Sequence, residues 1–379
     1  MPARRGSAVH RGSVRRTGAV PALFALLVFQ PAAAVMAAEP PVVVVADGET
    51  ITLKAGHPTL RKWLMPRDIP APSDNATTPE RVKLGEMLFF DARLSMHGHT
   101  SCVMCHFPER GFADGLPASV RFMGERMTRN APGLVNVAFT PRLMWDGRNA
   151  SLEQQALGSQ GVGGSLNAGW KQLGISNGNL GIDRIRALPG YVDAFARAYP
   201  GEAITKETVA KAIAAFERSL VSRDSPFDRW VLGDARALTP SQVNGLRLFV
   251  DPAKGNCAVC HSPPAFTDNG FHNIGLKQFG QADADAGRFG ERPVASMNGA
   301  FRTPGLRDVA LTAPYFHDGS ANTLREVVDH YVRGGDARAN LSPLIKPLVL
   351  SEAEKDDLID FLKALTTRRP VYDPPRLPR

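Results

Sequence analysis

The chain has only four cysteines, Cys102, Cys105, Cys257 and Cys260, and all four lie in C-x-x-C-H runs. None is left over for a structural disulfide, which is how an exported protein normally uses spare cysteines. Strand-forming runs are scarce, so most of the chain reads as helices joined by Gly- and Pro-rich loops. Beyond one stretch near the N-terminus, no segment is long and apolar enough to span a bilayer. Histidine is sparse too: apart from His261 of the second motif, none occurs between His106 and His272. Cationic excess is also small. The formal charge of +8 includes five arginines and no acid in residues 1–38, which leaves +3 (8 − 5) for the remainder. That balance gives no sign of nucleic-acid binding. With 379 residues, 43% of them hydrophobic, there is material for two ordinary domains with real cores.

Residues 1–38 read as a secretory signal. Arg4, Arg5, Arg11, Arg15 and Arg16 form a positive start, an apolar run follows from Ala19 to Val35, and "VMAA" before Glu39 offers small residues for cleavage. The run is near the lower length limit for a membrane anchor, but its Ala-rich, cleavage-like end favours removal. The expected location is therefore the periplasm, with no membrane span after signal removal.

Residues 39–77 are Pro-rich and read as an irregular arm over the surface, in which "VVVV" (42–45) and "ETITL" (49–53) can form a small hairpin. Thr78 followed by Pro79 is a helix start. A similar passage recurs at Thr239–Pro240: each runs Thr-Pro, helix, aromatic, Asp, loop, C-x-x-C-H, and ends in a related loop, "GFADG" or "AFTDNG". This is an internal duplication with a period of about 160 residues, too long for a solenoid unit. The expected organisation is a mainly α fold of two related domains, 78–235 and 236–370, each built around its own C-x-x-C-H, with a short tail over 371–379. Between the motifs, "TKETVAKAIAAFERSLVSRD" is an amphipathic helix with Val209, Ile213, Phe216 and Leu220 on one stripe. Near the end, Ser351 and Glu354 make a capping box.

C-x-x-C-H can hold zinc, form a redox dithiol or anchor a haem. A Cys₄ zinc site explains the cysteines but not the paired histidines, and a thioredoxin-like dithiol needs a βαβ setting that is absent. Thioether attachment uses two thiols one helical turn apart and a following His aimed at iron. "CVMCH" and "CAVCH" meet each need. Cys102, Cys105 and His106 are thus expected to hold haem 1, and Cys257, Cys260 and His261 haem 2.

From Thr78 to Thr367 the chain resembles the bacterial di-haem cytochrome c peroxidase and MauG family. The ordered motifs are "LFFDARLS", "SCVMCH", "GFADG", "RNAPGLVNVAF", "MWDGRNASLEQQA", "SPFDRW", "CAVCH" and "FRTPGLRDVALTAPYFHDG". The resemblance implies two cytochrome c-like domains with covalent c-type haems, one reacting with hydrogen peroxide and the other relaying an electron. It implies that Trp145 bridges the haems. It also implies an interdomain calcium at Asn130, Thr312 and Pro314, whose oxygen donors suit a hard cation.

Within the family, peroxidases place a Met ligand to haem 2 fourteen residues after the His of "PYFH". Here that position is Tyr331, as in MauG-type members. A phenolate favours the oxidised metal, where a thioether raises the potential. His330 beside it is a rival ligand. The loop "SVRFMGERMTRN" lacks the histidine that closes haem 1 in many peroxidases, which implies an open sixth position. Two features depart from the pattern. Gln155 matches the family's distal Gln, but its Pro position is Ser159 and its Glu position falls near Ser165, and "QALGSQGVGGSLNAGWKQLG" has no carboxylate. Gln155 can orient peroxide but cannot shuttle protons, so Gln160, a water or Asp183 is left to compensate. The MauG-type exit Trp, two residues before the second cysteine pair, is Gly255, so the route to a protein substrate differs and the methylamine dehydrogenase precursor is not the implied one. His272 reads as a structural hydrogen-bonding residue, and His97 and His99 as exposed loop residues.

The implied activity is peroxide reaction at haem 1, sharing of oxidising equivalents with haem 2 through Trp145, and oxidation of a residue on a partner protein. The alternatives are a peroxidase fed by a small electron-donor protein (a cytochrome or a cupredoxin) and a non-catalytic electron carrier or sensor.

Overall fold

The computed structural model describes residues 42–46, 49–120, 124–158 and 180–379. The signal segment, residues 121–123 of the open loop, and Ser159, Gln160 and Ser165 of the distal segment lie outside the described residues. The fold is mainly helical. Strands β1 (Val42–Ala46) and β2 (Glu49–Leu53) form the expected antiparallel hairpin. The helices are α1 (Pro79–Phe90), α2 (Leu152–Leu157), α3 (Leu180–Arg186), α4 (Pro189–Ala198), α5 (Lys206–Ser219), α6 (Pro226–Leu232), α7 (Pro240–Val250), α8 (Leu324–Arg333) and α9 (Glu352–Ala364). A two-residue pair, β3 (Phe271–His272) with β4 (Phe301–Arg302), ties loops of the second half together.

Helix starts follow their capping residues. Thr78 Oγ1 accepts from the Arg81 amide with Pro79 behind it, and Thr239 does the same for Gln242 before Pro240. Ser351 and Glu354 close their reciprocal box.

Two hydrophobic cores result. In the first, Leu84, Leu88 and Phe89 of α1 meet Val209, Ile213 and Phe216 of α5. In the second, Leu246 and Phe249 of α7 meet Leu358, Phe361 and Leu362 of α9. The two helix crossings repeat each other closely. A Cβ on Gly85 would lie 1.9 Å from the Ala212 carbonyl oxygen and 2.9 Å from Phe216 Cβ. On Gly245 it would lie 2.0 Å from the Asp357 oxygen and 2.7 Å from Phe361 Cβ. Only glycine lets these backbones approach so closely.

The arm does more than lie over the surface. Val44, Leu53, Leu60 and Trp63 are buried in the second core, and Gly56 N donates to the Trp230 carbonyl. The tail runs the other way: Tyr372 stacks on Phe90 at 5.4 Å, and the Pro378 carbonyl accepts from Arg93 of the first half.

Candidate functional site

Each C-x-x-C-H run occupies a short 3₁₀ turn, Cys102–Met104 and Cys257–Val259. In the first, Cys105 N donates to the Cys102 carbonyl at 3.1 Å, which sets the two thiols one turn apart. His106 Nδ1–H donates to the Phe112 carbonyl at 2.6 Å. A carbonyl accepts only from a protonated nitrogen, so this bond fixes the tautomer and leaves Nε2 with its lone pair. Burial holds the imidazole's pKa below its usual range, so the ring is neutral. Burial also raises the Cys102 thiol, with further contributions from the charges of Glu217 and Cys105. The ring and thiols face a cavity of about 490 Å³ whose other walls include Trp145, Gln155 and Glu217.

The second site repeats the first. His261 Nδ1–H donates to the Phe266 carbonyl at 3.0 Å, and burial lowers its pKa as well. Burial pushes Cys257 up to about 12 and Cys260 up to about 11. The cavity here is about 450 Å³, with Tyr331, Val327 and Leu362 in its walls. Burial keeps the Tyr331 phenol protonated, aided by the charges of Cys260 and Cys257. His330 does not line this cavity. Its Nε2–H donates to the Ile274 carbonyl at 2.9 Å and its Nδ1 faces Asp336 Oδ2 at 3.3 Å. Successive side chains on a helix point about 100° apart, so α8 can offer only one of the two to the cavity.

Trp145 is buried and lines both cavities. Its Nε1–H donates to the Asn130 carbonyl at 2.9 Å, and its ring meets His317 edge-on at 6.5 Å. His317 in turn stacks on Phe301 at 3.4 Å. Asn130, Thr312 and Pro314 converge on the second cavity. Asn130 Nδ2 donates to the Leu116 carbonyl. Among the described residues, the Thr312 and Pro314 carbonyls accept no backbone hydrogen bond.

The family description "Di-haem cytochrome c peroxidase" matches residues 79–236. The methylamine utilization protein MauG of Methylorubrum extorquens is 40% identical over 84% of this chain and 87% of its own. The cytochrome c551 peroxidase of Pseudomonas aeruginosa is 34% identical over 79% of this chain and 82% of its own. Among solved structures, a MauG-like protein associated with microbial copper homeostasis superposes with a TM-score of 0.72 at 34% identity, covering 80% of this chain and 95% of that one. The chain belongs to the di-haem cytochrome c peroxidase and MauG family. Its relatives are peroxide-dependent di-haem oxidoreductases, and membership of the family implies two haems.

The residues fit those haems on structural grounds. No disulfide joins the four cysteines, and each proximal imidazole has its Nδ1 tied to a backbone carbonyl. Arg302 lines both cavities, and burial lowers its pKa to about 10. Among the described residues its guanidinium hydrogen-bonds only to the Met144 and Thr303 carbonyls, so a haem propionate would supply the anion it lacks.

Several expectations are refined by these positions. Asp183 cannot serve haem 1: it is exposed and paired with Arg186 at 3.1 Å on the surface. His272 is held by Asp268 at 2.9 Å. These two also cluster with Cys260, whose sulfur is part of the second C-x-x-C-H run, so the cluster adjoins that motif. His99 is exposed and His97 half-buried. Gly255 has a steric cause, since a Cβ there would lie 2.5 Å from the Leu248 oxygen, too close for any tryptophan. Sequence reasoning missed Glu217. Its signal was present: it sits four residues after Ile213 on the apolar stripe of α5, where a carboxylate has no ordinary place.

Proposed function

We propose that this chain is an exported, MauG-like enzyme that takes oxidising equivalents from hydrogen peroxide at haem 1, shares them with haem 2, and oxidises a residue on a partner protein. The observation that carries this reading is Tyr331, which stands in the haem 2 cavity while its rival His330 is tied to Ile274 and Asp336. The haems, when bound, supply the iron that reacts with peroxide and the redox centre that shares its oxidising power. The chain's own groups do the rest. His106 and His261 present neutral Nε2 atoms, fixed in orientation by Phe112 and Phe266. Gln155 offers its amide to orient peroxide. Trp145, in the walls of both cavities, provides an oxidisable ring between them. The Asn130 side chain and the Thr312 and Pro314 carbonyls hold a calcium ion that fastens the two halves where the indole sits. The basic start and apolar run of residues 1–38 support export to the periplasm, and the two C-x-x-C-H runs support haem domains over 78–235 and 236–370.

The test is peroxide addition to the fully ferric two-haem protein, followed by near-infrared and EPR spectroscopy. A near-infrared band from electron sharing between the haems is expected without prior reduction. A reaction that begins only after one haem is reduced would replace this reading with that of a peroxidase fed by an electron-donor protein. No reaction in either state would point to an electron carrier.

A further inference from the structure

Glu217 lies in the wall of the haem 1 cavity where α2 packs against α5, together with Leu152, Gln155 and Ala156. It is 5% exposed, and among the described residues its Oε2 has no hydrogen-bond partner. The neighbouring Arg218 does not neutralise it. That guanidinium is committed to Glu153 at 2.8 Å, to Thr77 and to the Asn75 carbonyl. The groups that bear on its charge are Arg218, Glu153 and Cys102, and the same cavity is also lined by His99, Cys105, His106, Glu125, Arg126, Arg129, Asp146, Arg148 and Arg302. Burial is the dominant influence and pushes its pKa up to about 8, so it holds its proton at neutral pH.

The repeat within the chain shows that the fold does not need this carboxyl. The Gly85 and Gly245 crossings pair Ala212 with Asp357 and Phe216 with Phe361, so Glu217 corresponds to Leu362. Likewise Ser151 and Thr323 cap α2 and α8, six residues after Trp145 and His317, so Gln155 corresponds to Val327. Val327 and Leu362 both line the haem 2 cavity. One half thus sets an amide and a carboxyl where the other sets two aliphatic side chains. Leaving an oxygen of a buried carboxyl unpartnered costs stability, and the second half packs the same position without one.

We infer that Glu217 is the acid of the haem 1 cavity, relaying the peroxide proton that the distal segment 155–174 has no carboxylate to move. The carboxyl gives its proton to the far oxygen as the O–O bond breaks, and that oxygen leaves as water with the hydrogen it already carried. The near oxygen's proton returns to the carboxylate, so Glu217 ends unchanged. The two electrons that reduce peroxide come from the haem pair. This inference rests on the proposed peroxide chemistry at haem 1 but not on the identity of the final substrate.

The test compares wild type, Glu217→Gln and Glu217→Leu as two-haem proteins. Infrared difference spectra across a pH titration should show a protonated-carboxyl band in wild type, lost near pH 8 and absent from both variants. Single-turnover reaction with peroxide should slow roughly 10²–10⁴-fold in both variants. In wild type it should slow as pH rises past about 8, and the variants should lose that dependence. Glu217→Leu, which copies the second half, should melt no earlier than wild type. Unchanged peroxide rates in both variants would overturn the inference, as would a wild-type carboxyl that is already ionised at neutral pH. Fast peroxide reaction in wild type without oxidation of any partner would instead count against the proposed function and leave Glu217 in its role.

Discussion

At the scale of single residues, two groups are proposed to carry the chemistry that distinguishes this chain. Tyr331→Met should raise the haem 2 potential, by tenths of a volt within the roughly 0.8 V range that axial ligands span. A redox titration of the two haems checks it, and an unchanged haem 2 would refute the ligand assignment. Glu217 has a thermodynamic signature independent of catalysis. The folded chain keeps its proton up to about pH 8, whereas its ordinary value is 4.5. Between those values the native state binds more protons than the unfolded one, so stability falls as pH rises. Replacement by Gln should flatten this part of the curve, removing a slope of up to roughly 1.4 kcal/mol per pH unit. Denaturant midpoints at several pH values measure it. The place of Tyr331 in the second cavity was legible in the sequence because it stands at a counted distance from a motif. Glu217 was not, because a periodicity reading collects the apolar residues of α5 and passes over the one polar residue that shares their face.

At the scale of elements, α5 and α9 each lend a wall to one cavity, and α1 and α7 pack against them. Gly85→Ala would drive a methyl group into the Ala212 carbonyl, where neither backbone can yield cheaply. A loss of about 1–3 kcal/mol or more is expected, read as a lower melting temperature, with Gly245→Ala giving a similar loss at the second crossing. Helix starts were legible because Thr78, Thr239 and Ser351 combine local capping chemistry with the adjacent Pro or Glu. The crossings were not, since nothing local in "KLGEM" or "VNGLR" says that another helix comes within reach of the glycine.

At the scale of the whole molecule, the two ends of the chain are exchanged between the halves. The arm that precedes the first half fills the second core through Leu60 and Trp63, while Tyr372 and Pro378 return to the first. Composition marked the arm as irregular, but its burial depends on contacts some 170 residues away, which no window along the sequence contains. Between the halves, Arg129 bridges Asp146 at 2.5 Å and Asp285 at 2.6 Å. The proposed calcium lies in the same region. Chelation should therefore weaken the near-infrared band of haem–haem sharing while leaving both thioether attachments intact, and restoring calcium should restore the band. A band indifferent to the chelator would remove the ion from the scheme.

The hydrogen bond from Trp145 Nε1 to the Asn130 carbonyl also bears on how charge crosses the molecule. An indole that gives up an electron becomes a strong acid at nitrogen, and its fate depends on the acceptor it faces. A carboxylate or a neutral histidine would take that proton and trap a long-lived neutral radical. An amide carbonyl is too weak a base to do so. An oxidised Trp145 would therefore keep its proton and be refilled without proton transfer, so a crossing through it should be indifferent to deuterated solvent even where the peroxide step is not.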